Sequence, residues 1–296
     1  FCLSRGLGDV YKRQRHILPL LKFLYPSLIV GAVVMGLWGV FFNQITVALT
    51  RWMAASEPVV LSFPLFTLIL LSVLSLLADS FYMGNVMTAI SRFTAAGAWP
   101  VLRFGEAKRE VFDAFLRALT CTLVAVVVFS LLIVPVTLWL GPGNVWVTVV
   151  SYILLLALGV PYCMVIMDYM LGERRDFWYS LKRMKDGYQY WGAFFIILFC
   201  GGLIMGVLAA VSWLPAGILA YAGHASLTGV LEGDATDLPS YVPALVVFFF
   251  MLASVIANVF SWLTLFPLSY LYGSVEARKQ EKASFEEEER RLQGLQ

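Results

Sequence analysis

From Ala118 to Met167 the chain carries no Asp, Glu, Lys, Arg or His, and its one strong turn signal is "GPGN" at 141–144. Each half of this stretch is long enough for a helix that crosses roughly 30 Å of hydrocarbon, which takes about 20 residues. The composition of the whole chain also indicates a membrane protein. Of its 296 residues, 60% are hydrophobic and only 14% are charged, whereas about 25% of the residues of soluble domains are charged. The sequence therefore predicts an integral membrane protein.

Six apolar runs are long enough to span a bilayer, so the predicted fold class is an all-α polytopic membrane protein. The runs are 24–48, 59–80, 117–140, 145–168, 191–213 and 241–270. We predict a transmembrane domain over 15–275 and a charged tail over 276–296. The first residues, "FCLSRGLGDVYKRQ" at 1–14, differ in character from the apolar run after them and are predicted to be a non-native leader.

The distribution of Lys and Arg predicts the orientation, because these residues are retained on the cytoplasmic side of short connections. Twenty of the 21 basic residues fall in the N-terminal segment, the second and fourth connections and the tail, and the exception is Arg51. The sequence thus predicts that both ends are cytoplasmic. The fifth connection has no basic residue and instead carries Glu232, Asp234 and Asp237.

The fourth connection, "DYMLGERRDFWYSLKRMKDGYQYW" at 168–191, is both basic and aromatic. Spacings of three and four place Phe177, Leu181, Met184, Tyr188 and Trp191 on one face of a helix. This pattern predicts an amphipathic helix in the membrane interface that contacts anionic lipids. The predicted surface contacts are Phe177, Trp178, Leu181, Lys182, Arg183, Lys185 and Trp191. A nucleic-acid site is not favoured, because both ends of the segment are tethered to the bilayer.

The sequence offers little material for catalysis. It has two histidines, His16 and His224, and contains no H-E-x-x-H, G-x-S-x-G or P-loop motif. No nucleophile and base can be paired, and the cysteines are scattered through apolar runs. We therefore expect a non-enzymatic protein without a cofactor or a metal site.

Polar residues within the spans define one candidate site. Asp79, Asp168 and Asn258 are the candidates for an ion or polar-solute pathway. The predicted span ends place both aspartates at the cytoplasmic border, where hydration or pairing with Lys or Arg is the favoured interpretation. The alternative is a small transporter or channel.

Small residues predict close packing of the fifth and sixth spans. Gly202 and Gly206 follow the G-x-x-x-G spacing, and Ala253 and Ala257 belong to a small-residue stripe on the sixth span. Three segments of the chain resemble one another, and we call this similarity a threefold echo: "SFYMGN" at 80–85, "DYMLGE" at 168–173 and "SYLYGS" at 269–274. The echo suggests three helical-hairpin repeats as a further hypothesis.

Two segments carry a family resemblance. "FWYSLKRMKDGYQYWGAFFIILFCGGLIMG" at 177–206 and "PLSYLYGSVEARKQEKASFEEEERRL" at 267–292 resemble the entry to the fifth span and the exit segment of a group of six-helix bacterial membrane proteins. The group includes the membrane domain fused to some glycerophosphodiester phosphodiesterases, and its hydrolytic residues belong to a separate soluble domain. The resemblance implies a fold and a place in the bacterial cytoplasmic membrane without a reaction. The expected role is structural, lipid-interacting or partner-binding, and the partner is a membrane protein or a second copy of the chain.

Overall fold

The computed structural model describes residues 17–55, 62–96, 104–141, 143–231 and 239–293, and these contain ten α-helices and no strand. The helices are α1 (Ile17–Ala55), α2 (Ser62–Ala96), α3 (Phe104–Leu140), α4 (Val145–Leu154), α5 (Val160–Leu171), α6 (Phe177–Lys182), α7 (Met184–Gln189), α8 (Trp191–Leu231), α9 (Val242–Phe260) and α10 (Trp262–Gln293). A short π-helical segment, Leu155–Gly159, joins α4 to α5. The leader at 1–14 lies outside the described residues.

Six helical stretches among the described residues are long and apolar enough to cross a membrane, which confirms the six predicted spans and a multi-pass membrane protein. The second span was predicted to end at residue 80, but α2 continues without a break to Ala96. The prediction ended at residue 80 because the run from residue 59 already supplies the roughly 20 residues that a span needs. The helix continues because its next residues, Val86 to Ile90, are buried by protein rather than exposed to water.

The chain divides into two compact units, of which the first comprises residues up to Thr122 together with Ile204–Phe260. Its α1 packs against both α2 and α9. Glycines permit the close approach: a Cβ on Gly36 would lie 3.0 Å from Met251 Cγ, and one on Gly39 would lie 3.1 Å from the backbone of Val247. On α2, a Cβ on Gly84 would lie 2.6 Å from the backbone nitrogen of Phe115. Backbone contact of this kind is the usual role of small residues between membrane helices.

The second unit comprises Leu123–Leu203 together with the residues from Ser261 onward. It contains the predicted hairpin turn, where Gly141 and Gly143 have φ angles of 85° and 86° that favour glycine. Asn144 caps α4 by accepting a hydrogen bond from the backbone N–H of Trp146 at 3.0 Å. In the same unit, α5 packs against α6, α7 and α10.

The predicted close packing at Gly202 and Gly206 is wrong. Both glycines are exposed, and a Cβ on either would meet no atom of the described chain within 4 Å. Ala253 is fully buried and Ala257 half-buried, and α1 packs extensively along α9, whereas the α8 contact with α9 includes Trp213 against Phe250 at 4.7 Å between ring centroids. The close contact in α8 is made by the neighbouring Gly201, where a Cβ would overlap the side chain of Thr264. A spacing pattern does not specify which face of a helix meets a partner.

The three echo segments do not occupy equivalent places. Residues 80–85 lie in the buried middle of α2, 168–173 include the end of α5, and 269–274 lie within α10. A Cβ on Gly84 would meet backbone, whereas one on Gly273 would meet nothing within 4 Å. The predicted boundary at residue 276 also falls inside the continuous helix α10.

Candidate functional site

A network of charged side chains surrounds Arg183, which lies between the short helices α6 and α7. The Arg183 guanidinium pairs with the carboxylates of Asp168 and Glu276, and its Nε lies 3.1 Å from Asp186 Oδ2. Lys279 forms a further ion pair with Asp186. We call these five residues the Arg183 cluster. It joins the end of α5, the connection between the fourth and fifth spans, and the middle of α10.

Asp168 is the most buried member of the cluster, with a side chain 5% exposed. Its carboxylate accepts hydrogen bonds from the Ser180 hydroxyl at 2.7 Å and the Tyr272 hydroxyl at 3.0 Å, in addition to the contact with Arg183. These three donors satisfy the buried charge. Asp168 is therefore a structural anchor, which agrees with the pairing favoured from the sequence and removes it from the candidate polar pathway.

The ion pairs of the cluster shift the pKa values of Arg183 and Asp186 in the direction that favours their charged forms. Burial opposes the charge on Arg183, but hydrogen bonds and ion pairs with Glu276, Asp168 and Asp186 outweigh it and raise the arginine pKa above its ordinary value. Burial likewise opposes the charge on Asp186, yet hydrogen bonds from Lys279 and Arg183 lower its pKa below the ordinary value. The two cations and three carboxylates leave a net charge of minus one.

The segment Phe177–Trp191 is not the single amphipathic helix that the sequence predicts. It forms two short helices with Arg183 between them, and Asp176 caps the first by accepting a hydrogen bond from the backbone N–H of Trp178 at 3.1 Å. Ser180 and Gly187 are buried and face α5, where a Cβ on Gly187 would lie 2.8 Å from Pro161 Cα. The packed side of this segment is therefore small and polar rather than aromatic.

The predicted surface residues separate into two groups. Arg183 is wrong as a lipid contact, because its side chain is 11% exposed and bound to carboxylates. The Phe177 ring packs edge-on against Tyr169 at 5.5 Å, and the Trp191 indole donates a hydrogen bond to the Leu156 carbonyl at 3.0 Å. Leu181 is half-buried.

Three residues remain on an outward stripe, which we define as Trp178, Lys182 and Lys185. Trp178 and Lys182 lie one helical turn apart on α6, and Lys185 lies on α7, whereas Ser180 and Gly187 of the same segment are buried and Arg183 is half-buried. Trp178 is 70% exposed and both lysines are exposed. The Arg183 cluster thus holds this stripe away from the protein interior.

A second polar site lies in the first unit, where α1, α2, α8 and α9 line a cleft of about 180 Å³. Asp79 and Asn258 both line it, so the structure brings these two predicted residues together and leaves out Asp168. Ser75, Ser254 and Trp213 complete its polar and aromatic lining. Asp79 is not at the end of its helix, because Arg92 lies 13 residues later in the same helix, about 20 Å along its axis.

Sequence reasoning missed most partners in both sites. Glu276 contacts Arg183 and Lys279 contacts Asp186, and both contacts span 93 positions of the chain. The two residues on each side are therefore three positions apart. That matched spacing is visible once the helices are known to be adjacent, but a single sequence does not show the adjacency. Comparisons with protein-family models, with curated proteins and with solved structures gave no match. The resemblance to the six-helix bacterial group therefore stays a prediction.

Proposed function

We propose that this chain is a non-enzymatic protein of the bacterial cytoplasmic membrane, with both ends cytoplasmic, and that it acts as a lipid-interacting module. The observation that carries the proposal is the outward stripe. An exposed tryptophan one helical turn from a lysine, with a second lysine beyond it, suits the headgroup layer, where the indole is half-immersed and the ammonium groups meet anionic phosphates.

The Arg183 cluster supports this role because it fixes the stripe before any lipid binds. Ser180, Arg183 and Gly187 hold α6 and α7 against α5, so little conformational freedom remains to be lost on lipid contact. Attraction to an anionic surface contributes about 1 kcal/mol for each nearby lysine. Lys182 and Lys185 together then correspond to a binding difference of up to about 25-fold.

Hydrogen exchange of the 174–190 segment in nanodiscs tests the proposal. We expect slower exchange in discs that contain phosphatidylglycerol than in phosphatidylcholine discs, and a smaller difference at high salt because ions screen the attraction. The K182Q/K185Q variant should lose the difference. K282Q/R290Q is the matched control, because it removes the same charge from exposed positions on α10. Equal exchange of the unaltered protein in both lipids would contradict the proposal.

A second candidate function is transport of a small polar solute, and the cleft around Asp79 is the observation that favours it. A carboxylate in the middle of a membrane helix is costly, and such residues mark ion and substrate pathways more often than structural positions. Solute flux into proteoliposomes that is lost in D79N would support transport. Flux that is unchanged in D79N would contradict it.

A further inference from the structure

We propose that the cleft of the first unit binds a small organic ammonium ion through the Asp79 carboxylate. Two polar pairs, each spaced by one helical turn, line this cleft: Ser75 with Asp79 on α2, and Ser254 with Asn258 on α9. Residues four apart lie on the same face of a helix. The two faces therefore present a carboxylate, an amide and two hydroxyls to one volume.

None of the described residues that line the cleft carries a positive charge to balance an ionised Asp79. Asp79 is the one ionisable residue in its lining, and none of the ion pairs of the described residues involves it. Protein packing leaves Asp79 exposed. An ionised carboxylate within a span requires a counter-charge or becomes protonated. A singly charged cation satisfies Asp79 without leaving excess charge in the membrane.

The hydrogen-bonding groups favour an ammonium group. The Trp38 indole donates a hydrogen bond to the Ser75 hydroxyl at 2.7 Å, which leaves the Ser75 hydroxyl proton available for donation to a carboxylate one turn away. The Asn258 amide nitrogen lies 3.5 Å from the Ser254 hydroxyl oxygen. An ammonium group brings three N–H donors, and the Asp79 carboxylate and the hydroxyl oxygens are the acceptors it needs.

The size and walls of the cleft favour an organic cation over a bare ion. Its volume is about 180 Å³, and an apolar cavity of about 150 Å³ is large enough for benzene. Val34, Met35 and Ala78 supply apolar wall for the carbon part of a ligand. Trp213 lines the same volume, and an indole ring attracts a cation within about 6 Å of its face.

Gly31 sets the width of the cleft on the α1 side. A Cβ at this position would lie 3.2 Å from the Asn258 amide nitrogen and 3.7 Å from the Ser254 hydroxyl oxygen. A side chain at position 31 would therefore restrict the space that the Asn258 amide occupies. The G31A variant narrows the site without changing a charge.

Equilibrium binding to the full chain in nanodiscs tests the inference, with benzylamine as the probe, benzyl alcohol as its neutral counterpart, and empty discs subtracted. We expect saturable binding of one benzylamine per chain at pH 7 and binding of benzyl alcohol weaker by about tenfold or more, because a charge-assisted hydrogen bond is lost. D79N should abolish the preference for the amine. D113N is the matched control, since Asp113 is an exposed aspartate of α3.

Three outcomes would overturn the inference: no saturable amine binding, equal affinity for amine and alcohol, or a preference that survives in D79N. If D79N fails to fold, the amine and alcohol comparison on the unaltered chain still decides, and weaker amine binding by G31A supports the site. The inference extends the second candidate function but does not require movement across the membrane. Binding without flux would retain the site and refute transport.

Discussion

Replacing Arg183 by Gln should destabilise the protein more than any other single change to a charged residue of the connection between the fourth and fifth spans. The substitution keeps a polar side chain but leaves the carboxylates of Asp168, Asp186 and Glu276 without their shared cation. Removing one partner from a buried ion pair costs about 3–5 kcal/mol. Asp168 is 5% exposed, whereas Asp186 and Glu276 are 19% and 30% exposed, so water relieves part of the repulsion. We expect a loss of about 3 kcal/mol, at the lower end of that range.

Thermal unfolding in detergent measures this loss, which corresponds to a fall in Tm of about 6–12 °C on the scale for domains of 150–250 residues. R183K should recover part of the stability, because one ammonium group replaces the charge but does not reach three carboxylates in fixed directions. D168N should lower the free energy of unfolding less in the R183Q background than in the unaltered chain, since it then removes the Asp168 charge that R183Q left unpaired. K182Q is the control, as an exposed neighbour expected to change stability by under about 0.5 kcal/mol. An R183Q protein as stable as K182Q would refute the structural role of the cluster.

The geometry predicts three further outcomes. The folded-state pKa of Asp186 is lowered, so its contribution to stability is present above about pH 4 and is lost as the pH falls through the lowered value. In thermal unfolding, acid should therefore destabilise the unaltered chain more than it destabilises the D186N variant. G187A should destabilise by about 1–3 kcal/mol through overpacking, whereas G202A, which meets open space, should be neutral or stabilising by up to about 1 kcal/mol; unfolding of the pair in detergent compares them. An impermeant thiol reagent applied from outside should label A225C and not K182C, and the reverse would contradict the proposed orientation.

The spans were predictable because the bilayer imposes a length and a composition on each helix separately. The run from Ala118 to Met167 needed no knowledge of any partner, and the glycine turn within it was recognised from its residues alone. The extent of α2 beyond Asp79 was not predictable by the same reasoning. Its continuation depends on burial by other helices, and a hydropathy pattern does not distinguish burial by protein from burial by lipid.

The candidate sites depended on which helix faces meet. Asp79 and Asn258 were recognised as polar residues within spans, but their shared cleft depends on the packing of α1 between α2 and α9. For Arg183, the sequence correctly predicted a position between the fourth and fifth spans, but the predicted lipid contact was wrong. Its partner Glu276, and Lys279, which pairs with Asp186, come from a helix that begins about 80 residues later, and each contact spans 93 positions of the chain. A single sequence contains no signal for that proximity.

The continuous helix α10 acts mechanically as a lever arm. It runs from Trp262 to Gln293 with its pivot at Glu276 and Lys279, and its last 17 residues extend about 25 Å beyond Glu276. Residues 280–293 are exposed throughout. Because the helix is continuous over this length, a sideways force at Leu292 is transmitted as a torque to the salt bridges of Glu276 and Lys279. Through these salt bridges the torque reaches the connection that carries Lys182.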